Sequence, residues 1–96
     1  MAHYVVLANF TDQGIHAIKD TATRAKAFRD TAKQMGVKVK DIYWTLGSYD
    51  VVLMMNAPND ETVAAIMAKA GALGNLKSQT LRAFDEQEME SILKKI

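Results

Sequence analysis

The stretch Asp41-Ile42-Tyr43-Trp44-Thr45-Leu46-Gly47-Ser48-Tyr49-Asp50-Val51-Val52-Leu53-Met54-Met55-Asn56-Ala57 decides the fold. Two apolar runs, rich in β-branched and aromatic residues, flank Gly47-Ser48-Tyr49-Asp50, and that pattern predicts a β-hairpin. Gly47 takes a positive φ without a Cβ clash and can turn the chain sharply. The short carboxylate of Asp50 can accept backbone N–H groups left unpaired in the turn. In the first run Ile42, Trp44 and Leu46 share a face, with Tyr43 and Thr45 opposite. In the second, Val51, Leu53 and Met55 oppose Val52 and Met54. Neither face is polar, so both are expected to be covered.

Upstream, His3–Phe10 reads as a strand with Val5 and Leu7 on one face and Tyr4, Val6, Ala8 and Phe10 on the other. Thr11-Asp12-Gln13-Gly14 ends it. Ile15, Ile18, Ala22, Ala25, Phe28, Ala32 and Met35 then recur at helical spacing. They predict a short turn near Asp12–Ile18 and a main helix over Thr21–Gln34, with cap-type Asp20-Thr21 at its start and Gly36 as its stop. The second strand is expected over Val37–Leu46 and the third over Asp50–Ala57. Downstream, Asn59 or Asp60 caps a helix whose buried stripe is Val63, Ile66, Met67, Ala70 and Leu73. The alanines between Ala64 and Ala72 suggest close approach to the sheet. Asn75–Phe84 reads as a fourth, more polar strand, suited to a sheet edge. Asp85 and Glu88 have capping-box spacing, with Phe84 and Met89 placed for a hydrophobic staple. Met89, Ile92, Leu93 and Ile96 form a short apolar stripe beyond it.

The order β-α-β-β-α-β plus a C-terminal helix predicts an α+β, ferredoxin-like fold over residues 1–96 as a single domain, with a four-stranded antiparallel sheet. Two long helices cover one sheet face. Each additional apolar side chain buried on the other is worth about 1.5–3 kcal/mol, so a second copy of the sheet is the expected cover.

Composition narrows the function. Net charge is +1 over 96 residues, without a basic block, which argues against a nucleic-acid surface. There is no cysteine, so disulfides, thiolate metal sites and a cysteine nucleophile are excluded. No run approaches the roughly 20 apolar residues of a membrane span, and the start of the chain has no secretory pattern. A cytoplasmic protein without membrane partners is the expectation. His3 and His16 do not share a metal-ligand spacing. No phosphate loop or nucleophile elbow is present. Neither a metal nor a cofactor is implied.

The hairpin Tyr43–Val52 resembles the signature of the GYD-domain family, small proteins named for a Gly…Tyr-Asp motif. The opening Val6–Ile15 is similar as well, as are Ala72-Leu73-Gly74-Asn75 and Thr80-Leu81-Arg82-Ala83-Phe84. The likeness spans nearly the whole chain. Ala22 departs from it, standing where proline after the Asp-Ser/Thr pair is expected, which loosens the main helix start. The resemblance implies the dimeric α+β barrel class and no established reaction. Over the hairpin and strand order alone, the chain also resembles the effector-binding domain of feast/famine transcription regulators, where small ligands sit between subunits. No helix-turn-helix accompanies it here.

Five residues are candidate ligand-binding groups. Asp50 is a possible base or ligand anchor, set against a plain turn-tying role. Tyr49 either offers its hydroxyl to a ligand or packs on a partner subunit. Trp44 and Tyr43 occupy opposite faces, so one faces the helices and the other the cavity between subunits. Arg82, inside the fourth strand, can bind an anion or pair with an acid such as Asp50. Asn9 needs hydrogen-bond partners and can line the same cavity. Gly47 is conformational.

The preferred reading is a homo-oligomer that holds a small organic ligand in a cavity at or near the dimer interface, between sheet and helices. The alternatives are a cofactor-independent or haem-dependent enzyme, similar to monooxygenases and isomerases of the dimeric barrel with His16 as the candidate group, and a structural assembly module.

Overall fold

The computed structural model describes residues 1–96. The strands are β1, Ala2–Phe10; β2, Lys38–Trp44; β3, Val51–Ala57; and β4, Leu76–Ala83. They form one antiparallel sheet in the order β2-β3-β1-β4. The helices are α1, Asp12–His16; α2, Thr21–Gln34; α3, Asp60–Ala72; and α4, Glu86–Leu93, with a 3-10 turn at Ile18–Asp20. This is the ferredoxin-like α+β arrangement that the pattern predicts, with the polar strand β4 at an edge.

Burial assigns the faces. Tyr4, Val6, Leu53, Met55 and Ala57 pack with Ala32 of α2 and with Val63 and Ile66 of α3. Alternation along each strand sends the neighbouring residues to the opposite side. There the register builds two mainly apolar rows: Met54, Val5 and Leu81 in one, ending on Asp41 at the β2 side, and Tyr43, Val52 and Leu7 in the next, ending on Gln79 at the β4 side. Asn56 and His3 bound the rows at one end, and Asn9 and Lys77 at the other. Val5, Leu7 and Val52 are half-buried within the subunit, whereas Met54, Leu81 and Tyr43 are exposed. The open face is therefore an oily centre with a polar border.

Several local readings are corrected by the structure. β2 begins at Lys38 and ends at Trp44 rather than running to Leu46, and its register slips between Val39 and Asp41. Thr45 instead closes the loop, its N–H donating to the Asp50 carbonyl at 2.9 Å. Leu46, expected to share the Trp44 face, is fully exposed. Asp20 precedes α2 without making a side-chain cap. In α3 most of the alanines point outward; Ala70 alone of the run is partly buried. Leu73, expected in the buried stripe, is largely exposed at the helix end.

Other caps follow the sequence. The Asn59 carboxamide accepts the Thr62 N–H at 2.9 Å. Asp85 and Glu88 form a complete capping box. Gly36 and Gly47 both have positive φ, 76° and 114°. α4 has no buried residue; its Met89 and Leu93 side chains, and Ile96 beyond its end, are exposed.

Candidate functional site

The hairpin signature performs identifiable work. The Asp50 carboxylate accepts the Phe10 N–H at 2.9 Å, and the Asp50 N–H donates to the Ala8 carbonyl at 2.9 Å. Asp50 thus ties its loop to the end of β1, extending the β1–β3 ladder beyond its last residue pair. The partner is the neighbouring strand rather than the turn's own backbone. The Tyr49 carbonyl accepts the Thr45 hydroxyl at 2.6 Å, which fixes the loop from within. Gly47 stands at the exposed tip.

The other candidates separate. Asn9 lies at the border of the open sheet face. Arg82 is opposite Tyr4 in the β1–β4 register. Its guanidinium lies 4.5 Å from the Phe84 ring centroid and 5.6 Å from that of Tyr4, and pairs with Glu88 at 3.5 Å rather than with Asp50. Trp44 faces the helices, and its indole N–H donates to the Thr21 hydroxyl at 3.0 Å. Tyr43 faces the other way. The candidate residues therefore do not converge on one point.

Trp44 instead borders a cavity of about 340 Å³ between the sheet, α2 and α3. Its origin is local: small side chains at Ala8, Ala25 and Ala70 stand where the two helices and the sheet would otherwise fill the space. Fifteen of its twenty lining residues are hydrophobic; the rest are Thr21, Thr31, Asn75, Arg24 and Lys69. Arg24 is half-buried, and its guanidinium donates to the Ala17 carbonyl at 2.8 Å. Neither cation takes part in an ion pair. His16 is exposed on α1, outside this lining. The sequence reading missed Arg24. Its signal is a cation next to Ala25 and one turn before Phe28 on the apolar stripe.

A second grouping joins the chain ends. His3 Nδ1 lies 2.8 Å from the Asn56 side-chain oxygen, while Nε2 lies 3.2 Å from Asp85 and 3.3 Å from Glu88. Sequence spacing hides this cluster, because β1 and α4 meet only after folding. Both carboxylates already serve the α4 capping box, and Glu88 also pairs with Arg82. The arrangement clasps the root of α4 to β1.

Hydrogen bonding by the Glu88 backbone N–H, reinforced by His3, holds the Asp85 carboxyl below its ordinary pKa. A depressed carboxyl stabilises the fold above its unfolded-state pKa of about 4 and loses that contribution as pH falls through the folded value. Acidification below pH ~4 should therefore release the start of α4, read as a lower protection of the Glu88 amide relative to its intrinsic exchange rate at the same pH. Asp85→Asn keeps a good cap but should flatten this acid dependence. Beside His3 in β1, the Tyr4 hydroxyl donates to Asp60 at the start of α3, which raises the phenol's pKa.

No helix is long and apolar enough to cross a membrane. The profile of the GYD domain family matches residues 4–93. A Thermus thermophilus protein named "Glutamine synthetase and cystathionine beta-lyase binding protein" is 30% identical over 95 residues, covering 98% of this chain and all of that protein. No solved structure matches the chain. A profile match across both halves of the fold, including the Gly47 loop that Asp50 ties to β1, shows that the chain belongs to the GYD domain family.

Proposed function

We propose that this protein is a homo-oligomeric binding protein, in which the open sheet face joins two copies and the assembled body docks onto other proteins. The observation that carries the reading is the pair of apolar rows on that face, bordered by polar residues. An oily centre within a polar rim is how protein interfaces are built. The exposed apolar side chains of α4 extend the same tendency beyond the sheet. The name of the Thermus relative, a binding protein for two enzymes, supports docking to proteins as the outward role. The helix-side cavity lies on the other face, so assembly leaves it to the individual subunit. Its lining contains neither histidine nor carboxylate. That leaves Lys69, which is exposed, as the one proton-transfer side chain at the cavity, and favours binding over the proton-transfer enzyme reading.

Sedimentation velocity over a dilution series tests the assembly. The protein should sediment as a multiple of its 10.6 kDa subunit. Val52→Glu, at the centre of the apolar rows, should dissociate it. An unpaired charge buried at an interface costs about 3–5 kcal/mol, which weakens the dissociation constant by at least ~100-fold. A wild-type protein that remains a lone subunit at high concentration defeats the proposal. Native mass spectrometry of gently purified protein reads the subunit count and any retained protein partner together.

A further inference from the structure

We propose that the helix-side cavity binds a small organic acid with a flat hydrocarbon body. Three observations on the cavity converge. Its volume of about 340 Å³ falls at the small end of the range for ligand pockets, roughly 300–1,000 Å³. Its wall includes three aromatic rings, Phe10, Phe28 and Trp44, suited to a planar body. Trp44 is also held in place through Thr21, and a pre-set wall reduces the cost of ordering on binding.

The third observation is charge. Arg24 and Lys69 are the charged residues of the lining, both are cationic, and neither has a carboxylate partner. The Arg24 guanidinium is anchored on the Ala17 carbonyl and reaches the Gly14 carbonyl at 3.5 Å. Those contacts use only part of its five N–H donors. A planar cation with spare donors at the rim of an oily chamber is matched by a carboxylate, which accepts in the same fork geometry. Neutral hydrocarbon would leave that charge half-buried without a counter-ion. Lys69 is exposed and its charge is met by water, so Arg24 alone calls for a counter-ion. A monocarboxylate on an aromatic or alicyclic frame fits both constraints.

The test compares phenylacetate with its neutral amide, phenylacetamide. Binding is read from methyl chemical shifts of Ala25, Met67 and Ala70, and from the fluorescence of Trp44, the single tryptophan. Phenylacetate should shift these signals in saturable fashion and bind more tightly than the amide. Arg24→Gln should weaken phenylacetate by about 10-fold to 100-fold, the range expected for a charge-assisted hydrogen bond, and leave the amide unchanged. That unchanged amide binding doubles as evidence that the variant is folded. Ala25→Leu, which fills the chamber, should abolish both. Three results each overturn the proposal: cavity signals that neither probe moves, acid and amide binding equally well, or binding that survives Ala25→Leu. Sedimentation of Ala25→Leu should match the wild type, because Ala25 lies on the side of the sheet away from the proposed subunit contact. Failure of the cavity reading is thereby distinguished from failure of the assembly reading.

Discussion

Met55→Ala should lower the unfolding temperature by about 12–24 °C. Met55 lies on a central strand and is 1% exposed, with Tyr4 and Val39 as its cross-strand neighbours. Removing such a side chain costs the transfer free energy of the lost atoms and leaves a void that rigid neighbours only partly close, ~2–5 kcal/mol in total. Taking ~3 kcal/mol, and about 4–8 °C per kcal/mol for a domain of this size, gives the quoted shift. Met55 does not line the helix-side cavity, so no existing space relieves the loss. Differential scanning calorimetry checks the value. A shift below ~4 °C would mean that the centre of the sheet relaxes far more readily than its packing indicates.

Gly14→Ala should be nearly as damaging, for the opposite reason. Gly14 is buried in the short helix α1, and a Cβ built there would stand 2.2 Å from the Asn75 carbonyl oxygen. Backbone cannot swing aside as a flexible side chain can. The same place is crowded with tethers. The Thr11 N–H donates to the Asn75 carbonyl at 3.1 Å, and its hydroxyl donates to the Gly74 carbonyl at 2.6 Å. Gln13 donates to the Leu73 carbonyl at 2.8 Å and to the Asn75 side chain at 3.0 Å. Forcing α1 away from this connection strains several bonds at once, at roughly 2–3 kcal/mol. Urea denaturation should show a reduced midpoint with an unchanged slope. Hydrogen exchange at Thr11 and Gly14 should rise more than exchange in β3. Wild-type protection at both amides would contradict the account.

These two residues also show what could be read from the chain beforehand. Met55 was legible as sharing a strand face with Val51 and Leu53, but Met54 on the other face is equally apolar, so which of the two meets the helices was not. Gly14 was legible only as part of a strand end. The reason it must be glycine lies sixty residues away, at a connection that no local pattern can locate. The hairpin bounds shifted for a related reason: Asp50 and Thr45 spend their hydrogen bonds closing the loop and fastening it to β1, so β2 ends earlier than its apolar residues suggest. The alanines of α3 were misread because small size signals tolerance of close packing without saying which way the residue points. Arg82 found Glu88 rather than Asp50 because α4 folds back to the start of the sheet, a placement set by tertiary structure. A cavity between sheet and helices was expected, but its lining was not legible: of the five candidate residues only Trp44 borders it. A void is a deficit of volume among segments far apart in sequence, whereas periodicity reports only which residues turn inward.

The irregularity in β2 bears on how growth of any assembly is limited. A free strand edge invites further strands, and such addition has no natural end point. Here one outer strand carries a slipped register beside Lys38 and Lys40, and the Arg29 guanidinium occupies the Val39 carbonyl at 2.9 Å. The other outer strand exposes Lys77 and Gln79. Neither rim is a flat template for side-by-side extension into a filament. A contact made by broad surfaces related by a twofold axis is self-limiting, since each copy consumes the only surface the other offers.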